Sequence, residues 1–134
     1  MSAFFDSNIL IYAFSTDTRR APALAAMASG GVISVQVLNE FTNVLRKKQK
    51  QDWPVIEAAL DTLRMRFPEI VPLTADTHAA AVALARDHHL AFYDALIVAS
   101  AIEAGCDELY SEDLQHGRAI DGLTIQNPFI QGTT

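Results

Sequence analysis

The 134 residues fit one domain, and the single cysteine, Cys106, excludes an internal disulfide. Half the residues are hydrophobic and 19% are charged, a globular composition and not that of a disordered chain. The net charge of −6 argues against a nucleic-acid binder until it is divided: residues 1–50 carry six basic and three acidic side chains, residues 51–134 four and thirteen. No apolar stretch reaches the ~18–20 residues of a membrane span. The start MSAFFDSNIL has no basic segment and places Asp6 inside its apolar run, unlike a signal peptide, so a reducing cytoplasm is the expected compartment.

In chain order, residues 2–6 read as a short buried strand ending at Asp6, and Ile9–Phe14 as a helical turn. Asp17 or Thr18 is expected to cap a helix over 18–29 that Gly30 and Gly31 stop. Val32–Ile33 is a second strand. Ser34 caps a helix running to about Lys48, with Val37, Leu38, Phe41, Val44 and Leu45 on one face. Asp52-Trp53-Pro54 starts another helix, which turns Val55, Ile56, Ala59, Leu60, Leu63 and Phe67 inward. Ile70–Pro72 is extended, and Thr74 caps an Ala-rich helix to about Asp87. Tyr93–Ala104 predicts a helix so apolar after Asp94 that most of its sides must be buried, and Gly105 stops it. Asp107–Tyr110 and Leu123–Gln126 are the last strands. Strands alternating with helices predict βαβ units and a parallel sheet covered on both faces, with functional groups beyond the carboxyl ends of the strands.

Most acids lie on polar helix faces, but four positions do not. Asp6 sits between apolar runs in FFDSNILIYAF, where a carboxylate costs several kcal/mol unless paired or metal-bound. Glu40 interrupts the apolar face of VLNEF, too far from Ser34 for a capping box. Asp94 opens the most buried helix. Asp113 and Glu112 follow a strand in LYSEDLQHG, and either could turn inward. All four positions fall at strand ends or helix starts, which a parallel sheet can bring to one edge. Carboxylates gathered there raise one another's pKa, and a hard cation such as Mg²⁺ or Mn²⁺ resolves the conflict. Such an ion supports phosphodiester hydrolysis.

The segments FFDSNILIYA, ISVQVLNEF, FYDALIVASA and ELYSEDLQHG, in this order and spacing, resemble the PIN-domain ribonucleases, and among them the VapC-type toxins of bacterial toxin–antitoxin pairs. The resemblance spans essentially the whole chain and implies a single PIN-like nuclease domain over 1–134, an α/β fold built as a three-layer α/β/α sandwich with a central parallel sheet. It implies that Asp6, Glu40, Asp94 and Asp113 are the catalytic, metal-binding acids; the family pattern of a hydroxyl residue, any residue, then Asp selects Asp113 over Glu112. Asp6, Asp94 and Glu40 would set the metal, with Asp113 holding a second ion or a water. Asn8 and Ser111 match small polar positions that support the site, and Ser7 keeps the hydroxyl of a frequent Thr. The implied activity is Mg²⁺- or Mn²⁺-dependent endonucleolytic cleavage of RNA by activated water. Implied partners are the RNA substrate, a cognate antitoxin whose tail enters the site, and a second copy of the chain in a homodimer.

Arg46, Lys47, Lys48 and Lys50 end the helix that carries Glu40 and are candidate phosphate contacts for an RNA strand crossing the site. His116 is a candidate RNA or site contact. Arg19 and Arg20 open a helix, where cations are unfavourable, which suggests an external anion or an acidic partner. Three other readings compete: a catalytically weak PIN-like RNA-binding module, a metal-dependent phosphatase-like hydrolase and a receiver-like signalling domain. The phosphatase would want an acid where Asn8 stands, and the receiver a Lys between Leu109 and Gln126, where there is none.

Overall fold

The computed structural model describes residues 2–130. The first strand, β1 (Ala3–Phe5), is followed by helices α1 (Ser7–Ala13) and α2 (Arg20–Met27), then β2 (Ile33–Ser34) and α3 (Val35–Asn43). A π-helical turn (Val44–Lys48) extends α3, and α4 (Trp53–Arg66), β3 (Ile70–Val71), α5 (Ala75–His88) and α6 (Phe92–Glu103) follow. Three strands close the fold: β4 (Glu108–Tyr110), β5 (Ala119–Ile120) and β6 (Leu123–Gln126). The four-stranded sheet has the order β1-β4-β6-β5, and β2 pairs with β3. A parallel bridge between Phe4 and Val32 ties the two groups together, so β2 flanks β1. Six helices among the described residues flank this mostly parallel sheet, the expected α/β sandwich. None of them is long and apolar enough to cross a membrane.

The expected elements form, with differences that have physical causes. The second strand is Ile33–Ser34, because Val32 is used in the bridge to Phe4. The second helix starts at Arg20, and neither Asp17 nor Thr18 is its N-cap; the Asp17 carboxylate accepts the Arg19 backbone N–H at 2.9 Å, one residue ahead of the helix. Val55 is half exposed, because α4 buries the stripe Ile56, Ala59 and Leu63 and Val55 lies to its side. The sheet is not wholly parallel: β5 pairs antiparallel with β6. Its hairpin turn, Asp121-Gly122, has both residues at positive φ (48° and 85°), and this Asp-Gly pair was the readable signal of the extra strand.

Four local features shape the frame around the site. Ser34 caps α3 by accepting the Val37 N–H at 3.3 Å. The π turn keeps Leu45 buried while exposing Arg46, Lys47 and Lys48. Helix α6 buries every residue from Ala95 to Ala101 and so fixes its first turn against the core. Gly31 permits the close approach of the α2–β2 loop to β1: a Cβ there would lie 2.5 Å from Phe5 Cε2 and 2.6 Å from the Ala3 carbonyl oxygen.

Candidate metal centre

The parallel register of β1 on β4 builds the centre. Phe5 stands opposite Tyr110, so the next residues, Asp6 and Ser111, leave the sheet side by side. The Asp6 N–H donates to the Tyr110 carbonyl at 3.0 Å, and the Ser111 hydroxyl donates to Asp6 Oδ2 at 2.8 Å. Asp6 is also the N-cap of α1, with Oδ1 accepting the Ser7 N–H at 2.7 Å. Two turns of chain thus converge on one buried carboxylate, 2% exposed.

Asp94, in the first turn of α6, and Asp113, beyond β4, bring carboxylate oxygens to the same place. Asp6, Asp94 and Asp113 each offer one oxygen within 4.8 Å of the other two. Glu40, on α3, stands outside this trio. Its carboxylate is held by the Ser7 hydroxyl at 2.9 Å and by the Gln36 amide at 3.2 Å. Asn8 spans the trio's edge: its amide donates to Asp113 Oδ2 at 3.2 Å and to Asp6 Oδ2 at 3.4 Å, while its oxygen accepts the Glu112 N–H at 3.1 Å. The Ser111 hydroxyl also accepts the Asp113 N–H at 3.2 Å.

Glu112 turns the other way. It accepts from the Tyr12 hydroxyl at 3.1 Å and pairs with Arg19 at 3.6 Å. Arg19 also hydrogen-bonds the Tyr12 hydroxyl and lies over the Tyr12 ring. The sequence-based expectation of an outside anion for Arg19 is corrected here: its anion is Glu112 of the same chain.

The electrostatics of the trio are unfavourable without a cation. Burial, the largest cause, pushes Asp6 up to about 7 from its ordinary 3.8. The Glu40 and Asp113 charges add to the rise, and the hydrogen bonds from Ser111 and Ser7 oppose it. Asp94 is also raised, by burial first and then by Asp113 and Glu40. Among the described residues the ion pairs are Arg19–Glu112 and Arg86–Asp87, and neither reaches the trio. An all-oxygen donor set with excess negative charge fits a hard divalent cation such as Mg²⁺ or Mn²⁺.

The remaining expected site residues lie apart from the trio's hydrogen bonds. Arg46 donates to the Gln51 carbonyl at 3.1 Å and stacks over Trp53. Lys47, Lys48 and Lys50 are exposed. His116 is exposed, and its Nδ1 accepts the Asn127 N–H at 3.0 Å, a tether between the loop after Asp113 and the end of β6. Sequence reasoning missed Gln36 and Tyr12. Gln36 was readable, one helical turn before Glu40 and so on the same face. Tyr12 carried no local signal, because its partner Glu112 is 100 residues away in the chain.

The family model described as "PIN domain" matches residues 3–120. No curated protein matches the chain. Among solved structures, a chain from a toxin–antitoxin complex of Klebsiella pneumoniae is 26% identical, with a TM-score of 0.73; the match covers 96% of this chain and 98% of that one. Mycobacterium tuberculosis VapC20, described as a sarcin-ricin-loop-cleaving toxin, is 22% identical with a TM-score of 0.70, over 84% of this chain and 90% of its own. A chain of Rickettsia felis VapBC2, bound to a promoter DNA fragment, is 21% identical with a TM-score of 0.69, over 95% and 98%. The last two likenesses are of fold.

Proposed function

The chain belongs to the PIN domain family, and from that premise we propose that it is a Mg²⁺- or Mn²⁺-dependent endoribonuclease, the toxin of a toxin–antitoxin pair. The observation that carries this reading is the trio Asp6, Asp94 and Asp113, gathered within 4.8 Å with Asp6 buried and, among the described residues, no ion pair to any of the three.

In this reading Asp6, Asp94 and Asp113 hold the ion. Glu40, fixed by Ser7 and Gln36, lies beside it and raises both Asp6 and Asp94. When bound, the ion supplies charge stabilisation to phosphodiester oxygens and a more acidic water. The chain's own work is orientation. Ser111 and Asn8 hold Asp6 Oδ2, and Asn8 also holds Asp113, so the carboxylates keep their directions when substrate enters. Lys47, Lys48 and Lys50, at the end of the helix that carries Glu40, contact phosphates along the strand, with Arg46 beside them.

The toxin–antitoxin complexes of the structural neighbours support a cognate antitoxin as partner, and we extend the reading to a homodimer in the cytoplasm. The test is cleavage of cellular RNA by the purified chain. Activity is expected in Mg²⁺ or Mn²⁺ and not in EDTA, and Asp6→Asn or Asp94→Asn should lower it at least about a hundredfold, the scale on which even outer partners of a metal site act. Cleavage that survives either substitution would remove the site assignment. Absence of cleavage together with unimpeded growth on expression would remove the toxin reading.

A further inference from the structure

A groove of about 580 Å³ opens beside Glu40, lined by Gln36, Asn39, Glu40 and Asn43 of α3 and by Tyr93 of α6. Three observations set it apart from ordinary surface. Tyr93 is 63% exposed, although it directly precedes Asp94 on the most apolar helix of the chain. Its ring has one aromatic neighbour, Phe92 at 5.7 Å, and leaves most of its surface to the groove and solvent. Asn39 and Asn43 are exposed and make no side-chain hydrogen bond among the described residues, while Gln36 is buried and engaged with Glu40. Residues 36, 40 and 43 recur at helical spacing, so the amides and the Glu40 carboxylate form one stripe, and the basic π turn begins immediately after Asn43.

We propose that this groove is a nucleobase subsite, in which an unpaired base of the RNA next to the cleaved phosphate stacks on Tyr93 and presents its edge to Asn39 and Asn43. This rests on the ribonuclease reading above. The chemistry matches the lining. An exposed aromatic ring offers a stacking platform to any base, and stacking is the usual way proteins hold single-stranded RNA. A primary amide carries both a donor and an acceptor, the pattern needed to read a base edge and one that a lone charge cannot supply. The placement also fits: Tyr93 is adjacent to Asp94 and Glu40 shares the groove, so a base held here lies next to the phosphate under attack. The Asn pair therefore biases which base flanks the cut, while the carboxylates act on the backbone common to all.

The experiment is binding of fluorescent single-stranded oligoribonucleotides to the full chain in Ca²⁺, with the oligonucleotide checked intact on a gel, alongside cleavage in Mg²⁺. Tyr93→Ala is expected to weaken binding about fivefold or more, and Tyr93→Phe to leave it nearly unchanged. An abasic residue placed at successive positions should erase the Tyr93→Ala penalty at one position only. Asn39→Ala and Asn43→Ala should alter the base preference at that position and leave the salt dependence unchanged. Equal binding by wild type and Tyr93→Ala overturns the subsite, and so does a loss in Tyr93→Phe as large as in Tyr93→Ala. If wild type cleaves and Tyr93→Ala binds normally, the subsite falls and the nuclease stands. If wild type binds with the stated Tyr93 dependence but does not cleave, the nuclease reading falls and takes with it the placement of the base beside a cleaved phosphate, while base stacking on Tyr93 stands.

Discussion

Asp6 has two roles that pull in opposite directions. As the N-cap of α1 it is favoured as a carboxylate, and burial disfavours that same charge. Burial is the stronger, because the folded value of about 7 lies well above 3.8. The folded chain therefore keeps a proton that the unfolded chain releases. Its contribution to stability is whole below 3.8 and disappears as pH rises through about 7. In EDTA, the melting temperature is expected to fall by several degrees between about pH 5 and about pH 8, and Asp6→Asn should flatten that profile. Added Mg²⁺ or Mn²⁺ should recover the loss at neutral pH, because an ion that binds only the folded state stabilises it. Ser111 works on the same group from the other side. Its buried hydroxyl, 2.8 Å from Asp6 Oδ2, lowers the Asp6 value, so Ser111→Ala should move the acid limb of the activity profile to higher pH by up to about one unit. A pH–rate profile checks this, and an unmoved limb would make Ser111 a packing residue only.

The elements show which parts of the fold were legible beforehand. Asp6, Glu40 and Asp94 stood out because each is an acid inside an apolar run, and burial patterns are written locally. Without the family pattern, the division of labour between Glu112 and Asp113 was not legible from burial and charge alone. Two adjacent acids after a strand look alike until Tyr12 and Arg19 arrive from the other end of the chain to take one of them. The same holds for Glu40, whose distance from the trio is set by helix packing and by Ser7. Helix α6 carries a further element-scale consequence. Ser100 is fully buried, and its hydroxyl makes no hydrogen bond among the described residues. Ser100→Ala should therefore stabilise the chain, or at least not destabilise it, by up to about 1 kcal/mol in urea denaturation. Gly31→Ala should do the reverse and cost about 1–3 kcal/mol, because the new methyl group meets the β1 backbone, which cannot swing aside as a side-chain tip can.

For the whole molecule, the net charge of −6 is a poor guide to what the surface attracts. Four of the sixteen acids are the site candidates, and four of the six basic residues of the first fifty cluster at the end of α3. Replacing Lys47, Lys48 and Lys50 together by Ala should weaken RNA binding across all sequences and flatten its dependence on salt by up to about three charges. Titration of affinity against KCl gives the slope directly, and an unchanged slope would return these lysines to ordinary solvated surface.

The register of β1 on β4 has one more consequence, in the order of synthesis. Asp6 is made 105 positions before Ser111, its hydrogen-bond partner, and β4 must itself pair with β6. A nascent chain holding β1, α1 and α3 has Asp6 and Glu40 but neither the strand that orients Asp6 nor Asp113. If the proposed nuclease reading holds, Asp6, Asp94 and Asp113 come together only once β4 and the loop after it have been made, so a chain stalled before β4 would lack the assembled site.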